Sequence, residues 1–136
     1  MTSSRSLLPS LSDAITQDVR VEVLSQYSAD HSHPLDGEWV FSYTVRITNL
    51  GTETVQLISR HWIITDANET QREVKGEGVV GQQPVLAPGE SFKYSSWCPL
   101  ETSVGTMHGT YQMVRGAERF DIEIAPFGLN ARHTVN

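Results

Sequence analysis

Hydrophobic and polar residues alternate along most of this chain, and the alternation marks out one strand after another. Val19, Val21 and Val23 alternate with Arg20 and Glu22, the period-two signature of a half-buried strand over residues 18–26. A polar loop at 28–37 leads to the clearest run, residues 38–48. There Trp39, Phe41, Tyr43, Val45 and Ile47 face one way, while Ser42, Thr44, Arg46 and Thr48 face the other. Such a large apolar face predicts the central strand of the core. After the turn chemistry of Asn49-Leu50-Gly51, the apolar positions are odd at Val55 and Leu57 but even at Ile58, Trp62 and Ile64. A change of parity inside one run predicts a bulge or kink near Ser59. Asp66-Ala67-Asn68 ends that run, and residues 70–75 read as a short polar edge strand.

The second half continues the pattern. Within Leu86-Ala87-Pro88-Gly89, the Pro88-Gly89 pair fits the second and third positions of a type II turn. Residues 91–97 form a strand carrying Phe92 and Tyr94. Residues 106–115 and 119–124 alternate on either side of Gly116-Ala117 and predict a hairpin. The serine-rich residues 1–17 read as a flexible lead-in with a helical turn at 11–15, residues 18–130 as the domain, and 131–136 as a C-terminal tail. About seven or eight strands with regular turn signals and no sustained helical period predict an all-β fold. The expected architecture is an antiparallel β-sandwich of two sheets, of immunoglobulin or fibronectin type III-like kind.

Composition narrows the classes. A chain of 136 residues makes one domain, able to bury roughly two-thirds of its unfolded surface without covalent staples. Cys98 is the only cysteine, which excludes an internal disulfide, a CxxC redox pair and a cysteine-rich zinc site. A reducing compartment fits, and the absence of a signal-peptide pattern or of a membrane-length apolar run makes the cytoplasm the expected location. The formal charge is −6, from 16 acidic and 10 basic residues, and the basic residues are scattered. Nucleic-acid binding, which needs clustered Lys and Arg, is disfavoured.

Several stretches carry candidate chemistry. Gly76, Gly78 and Gly81 spell G-x-G-x-x-G, the pattern that cradles a pyrophosphate when a strand precedes it and a helix opens at the third glycine. Here Val79-Val80 favour extended backbone, and Pro84 with Pro88-Gly89 leaves no room for that helix. A helix-free anion nest of backbone N–H groups remains as an alternative, opposed by the charge of Glu77; otherwise the glycines serve backbone geometry alone. His31 and His33, with Asp30 and Asp36, are weak candidates for a divalent metal, because H-x-H in a loop lacks defined ligand geometry. Arg60 and His61, beside Trp62, are candidates for a partner surface, with Arg60 on the Trp62 face and His61 on the other; the bland alternative is an arginine paired with a neighbouring carboxylate. His108 is expected to face outward. Cys98 is expected to be a buried structural thiol. No convergent catalytic set stands out, so the expectation is a binding module with no enzyme activity and no cofactor.

With these motifs in place the sequence strongly resembles the bacterial ApaG family. The matching runs are Val40-Phe41-Ser42-Tyr43-Thr44-Val45, Asn49-Leu50-Gly51, and Gln56-Leu57-Ile58-Ser59-Arg60-His61-Trp62-Ile63-Ile64-Thr65-Asp66. They continue through Gly76-Glu77-Gly78-Val79-Val80-Gly81-Gln82-Gln83-Pro84, Ala87-Pro88-Gly89, Gly105-Thr106-Met107 with Gly109, and Phe127 with Leu129. The chain departs from the pattern at Trp97-Cys98, where a small residue commonly follows Tyr-x-Ser. The resemblance implies a fibronectin type III-like sandwich, protein–protein recognition as in related eukaryotic domains, and an association with cobalt resistance and magnesium efflux. It also implies the idea of pyrophosphate or nucleotide binding through the glycine motif. It implies no defined biochemical activity.

Overall fold

The computed structural model describes residues 7–131. Residues 1–6 of the expected lead-in and 132–136 of the expected tail lie outside them. Nine strands are present among the described residues: β1 (Leu11–Thr16), β2 (Val19–Tyr27), β3 (Trp39–Asn49), β4 (Val55–Asp66), β5 (Gln71–Glu77), β6 (Val85–Leu86), β7 (Ser91–Leu100), β8 (Val104–Arg115) and β9 (Glu118–Asn130). They form two antiparallel sheets, β1-β2-β3-β7 and β5-β4-β8-β9, with β6 paired to the start of β4. The expected sandwich is the observed fold. As the pattern requires, β3 lies inside its sheet, with Phe41, Tyr43, Val45 and Ile47 buried. Across the core, Trp62 from β4 meets Tyr43, Tyr111 and Phe127. The hydroxyls of Tyr94 and Tyr111 satisfy each other by a hydrogen bond, so the centre holds aromatic mass without stranding those polar ends.

Two strands depart from the sequence reading. Residues 11–16 are neither lead-in nor helical turn: β1 pairs with β2 from Leu11↔Leu24 to Thr16↔Val19. Its outward positions, Leu11, Asp13 and Ile15, are exposed and its inward ones are only half-buried, so no clean apolar alternation advertises it. Tertiary pairing decides the conformation where the local pattern is weak. Likewise β7 runs three residues past Trp97, through Cys98-Pro99-Leu100. Pro99 is accommodated because β7 is an edge strand, so one side of it needs no ladder donors.

Two bulges shape the five-stranded sheet. Between β4 and β8 the register passes from Leu57↔Met113 to Ser59↔Gln112, leaving Ile58 unpaired. That is the bulge predicted from the parity change. Between β8 and β9, Ala125 and Pro126 stand opposite the single His108, so the proline again falls where a ladder bond is missing. The predicted hairpin turns at Gly116 (φ 59°) and Ala117, and the type II turn closes with the Glu90 N–H donating to the Ala87 carbonyl.

One side of the sandwich is sewn shut. β1 and β2 lie against β9, the Gly128 N–H donates to the Pro9 carbonyl, and the Ser25 hydroxyl donates to the Gly128 carbonyl at 2.6 Å. On the opposite side the edges of the two sheets, β7 and β5, face each other without pairing.

Candidate binding site

The unsealed side holds a cleft of about 220 Å³ lined by Tyr43, Arg60, Trp62, Arg72, Val74 and Trp97 among others. The bulge at Ile58 sets its chemistry. Upstream, Val55 and Leu57 point into the core; the extra residue switches parity, so Trp62 and Ile64 point inward downstream, and Arg60 shares their face. β5 pairs antiparallel with this segment, placing Gly76 beside Arg60, Val74 beside Trp62 and Arg72 beside Ile64. Two arginines thus occupy positions that a sandwich usually fills with apolar side chains.

Neither guanidinium meets a carboxylate among the described residues. The Arg60 Nη1 donates to the carbonyls of Glu77 (3.1 Å) and Gly78 (2.9 Å). Arg72 Nη2 donates to the Pro99 carbonyl and approaches the Cys98 sulfur at 3.5 Å. The carboxylate-paired arginine considered from sequence is replaced by one that holds backbone carbonyls. The Tyr43 phenol in the same cleft is pushed up by burial, against the opposing effects of a hydrogen bond with Ser96 and the Arg60 charge. Burial likewise pushes the Cys98 thiol up, with Arg72 acting in the other direction. A buried thiol held protonated is a poor nucleophile, as the sequence led one to expect.

The glycine stretch has a specific structural job. The Gly78 N–H donates to the carbonyl of the bulged Ile58 (2.8 Å), and Gln83 Nε2 donates to the same oxygen (2.9 Å). Val79 and Gln82 exchange backbone hydrogen bonds across a tight turn whose central residues, Val80 (φ 42°) and Gly81 (φ 79°), are left-handed. Each glycine answers a local need. A Cβ on Gly76 would lie 2.8 Å from the Arg60 guanidinium, one on Gly78 would lie 2.4 Å from the Gln82 carbonyl oxygen, and Gly81 needs its positive φ. The N–H groups of Gly78, Val79 and Gln82 are spent on protein carbonyls, and the Glu77 and Gly78 carbonyls point at Arg60. This is a turn clamped by an arginine, with those three amides occupied by protein acceptors. Accordingly, millimolar ATP is expected to leave the amide resonances of residues 76–82 unmoved in two-dimensional NMR; saturable shifts confined to those residues would overturn this assignment.

The remaining candidates do not come together. His61 lies on the face of β4 opposite Arg60, with its Nε2 2.7 Å from Glu73 Oε1, so strand alternation separates the two residues expected to share a partner surface. His31 sits 2.7 Å from the Ser28 hydroxyl through Nδ1 and packs against Trp97 with the rings tilted and their centroids 4.6 Å apart. His33 makes a backbone bridge to Glu38. No group of three or more His, Cys, Asp or Glu among the described residues is arranged to hold a metal ion. His108 is half-buried beside the β8–β9 bulge. The sequence reading missed Arg72, Val74 and Trp97 as site residues. Arg72 and Val74 sit in a strand with no apolar pattern, and their inward direction follows only from the register of β5 against β4.

A family model described as the ApaG domain matches residues 29–115. Among curated proteins, Protein ApaG of Anaeromyxobacter sp. (strain K) is 52% identical over 93% of this chain and 100% of its own length. Protein ApaG of Bradyrhizobium sp. (strain ORS 278) is 53% identical over 87% of this chain and 92% of its own. The crystal structure of a Bordetella pertussis protein designated ApaA superposes with a TM-score of 0.83 at 51% identity, covering 89% of this chain and 99% of that one.

Proposed function

The chain belongs to the ApaG family, and we propose that it is a non-catalytic recognition domain that binds another protein through the cleft between β5 and β7. The observation that carries this reading is the side where the two sheets are not sewn together, lined by Arg60, Arg72 and the exposed Val74, with the exposed Trp97 (52%) at its β7 edge turning its indole to the outer face against His31. Exposed aromatic anchors beside arginines are the residues that dominate binding energy at protein interfaces. The non-catalytic part is supported by where the reactive groups are: Cys98 is buried, His61 is tied to Glu73, and His31 is packed against Trp97. No helix among the described residues is long and apolar enough to cross a membrane; the free thiol fits the reducing cytoplasm as the place of action. The cobalt and magnesium association that the family implies would then act through the partner.

The test is capture from the native host with three proteins. Wild type and Leu24→Ser, a change on the exposed outer face of β2, should recover the same partner. Trp97→Ser, at the β7 edge of the cleft, should lower that recovery roughly tenfold or more, as removal of an exposed aromatic anchor does. A partner recovered equally by all three proteins would refute the cleft as its docking site.

A further inference from the structure

We propose that the β5–β7 cleft is an oxyanion-binding site, in which Arg60 and Arg72 together hold one carboxylate or phosphate group. The inference rests on the recognition reading only in its location, and it names the chemistry of what enters. First, both arginines reach the cleft from inward-facing register positions, on either side of the Trp62–Val74 pair. Second, their donors are mostly unspent. A guanidinium carries five N–H donors in a fixed fork. Arg60 uses Nη1 on the two carbonyls of the glycine turn, and Arg72 uses Nη2 on Pro99 and Cys98. The remaining nitrogens of each make no hydrogen bond among the described residues. Third, the cleft lining includes no carboxylate at all, in a chain whose net charge is −6. Local positive charge facing a low-dielectric wall of Trp62, Val74 and Met107 attracts anions far more strongly than the same charge on an open surface.

Two further features fit. Trp62, 2% exposed, contributes to the cleft wall and carries an Nε1–H with no acceptor among the described residues. Arg60 is pre-positioned: Gly76 leaves room for its guanidinium, and the carbonyls of Glu77 and Gly78 fix its orientation before any ligand arrives. A volume of about 220 Å³ admits an anionic group without a whole nucleotide beside it. The larger hollow that continues past Arg72 is lined by Asp36, Glu38, Asp66 and Glu101, so additional negative charge is unwelcome there. The preferred ligand is therefore a single oxyanion on an otherwise neutral or cationic carrier.

The competing explanation is that inward arginines merely blunt two unpaired strand edges. Amide NMR of the full chain with inorganic phosphate and, separately, N-acetyl-aspartate distinguishes the two. Oxyanion binding predicts saturable shifts at Arg60, Arg72, Val74 and Ser96 with at least one probe, absent with equimolar chloride. Arg72→Gln, at an exposed position, should weaken them at least tenfold while amide dispersion is kept. Val74→Glu should abolish them by placing a built-in carboxylate between the two guanidinium groups. Phosphate alone saturating would mark a phosphate-type ligand, and N-acetyl-aspartate alone a carboxylate one; either outcome upholds the site. No saturable shift with either probe, or shifts unchanged in both variants, would overturn it. Neither result depends on a protein partner. Failure here with Trp97-dependent capture intact would refute the oxyanion chemistry and spare the recognition reading, and the reverse pattern would do the opposite.

Discussion

Trp62→Ala should be among the most damaging single substitutions in the molecule, lowering stability by about 3–5 kcal/mol from lost burial and the cavity it leaves. The indole is 2% exposed and meets three aromatic rings edge-on, Tyr43 at 5.2 Å, Phe127 at 5.9 Å and Tyr111 at 6.2 Å between centroids. Each such contact adds about 0.5–1.5 kcal/mol beyond area burial. Tyr43 comes from β3 in one sheet, and Tyr111 and Phe127 from β8 and β9 in the other, so the truncation removes one of the contacts that couple the sheets. Since a domain of this kind is stable by only about 5–15 kcal/mol, the variant should unfold at much lower denaturant concentration. Equilibrium urea denaturation measures the effect, and a loss below about 1 kcal/mol would show that the core closes without the indole.

The glycine turn should give the second large effect, and a graded one. Gly78→Ala puts a side chain at φ 67° and 2.4 Å from the Gln82 carbonyl oxygen, a backbone atom that cannot step aside. Strain of about 1–3 kcal/mol for a left-handed non-glycine residue combines with a comparable cost, about 1–3 kcal/mol, for overpacking. Gly81→Ala meets the same conformational penalty at φ 79° but open space around the new methyl, so it should cost only that strain, about 1–3 kcal/mol, without the overpacking. Thermal denaturation of the two variants side by side is the check. Equal losses would mean that the overlap with Gln82 is relieved and that backbone conformation alone explains the glycines.

The parts of the fold that were legible in the sequence are those where alternation is enforced by burial. β3, with an unbroken apolar face, and the parity change that became the Ile58 bulge could be read directly. β1 could not, because its large apolar residues Leu11 and Ile15 are the exposed ones and the half-buried positions hold the small Ser12, Ala14 and Thr16. The short β6 has only Leu86 to declare it. The candidate site was less legible still. Arg60 was visible as a residue, but its companion Arg72 lies 12 positions away along the chain, and the two face one cleft only through the pairing of β4 with β5. The glycine motif illustrates the opposite case: its spacing matches a phosphate cradle, and each glycine also meets a need created by Arg60, Gln82 or the turn itself, of which the sequence showed only that backbone geometry was at stake. Residue spacing reports local geometry, and which neighbour imposes that geometry is a matter of tertiary contact.

The unpaired Ile58 acts on β4 as a phase shift acts on a wave. Beyond it, strand length can change in steps of two and the cleft still receives the same kind of side chain. A change of one exchanges the whole set, withdrawing Arg60, Trp62 and Ile64 and presenting Ser59, His61 and Ile63 in their place. An indole and an arginine would trade places with a hydroxyl and an imidazole without one of those residues having been substituted. What the cleft offers a ligand is therefore stored as an odd or even count along the strand, and drift by point substitution leaves that count untouched.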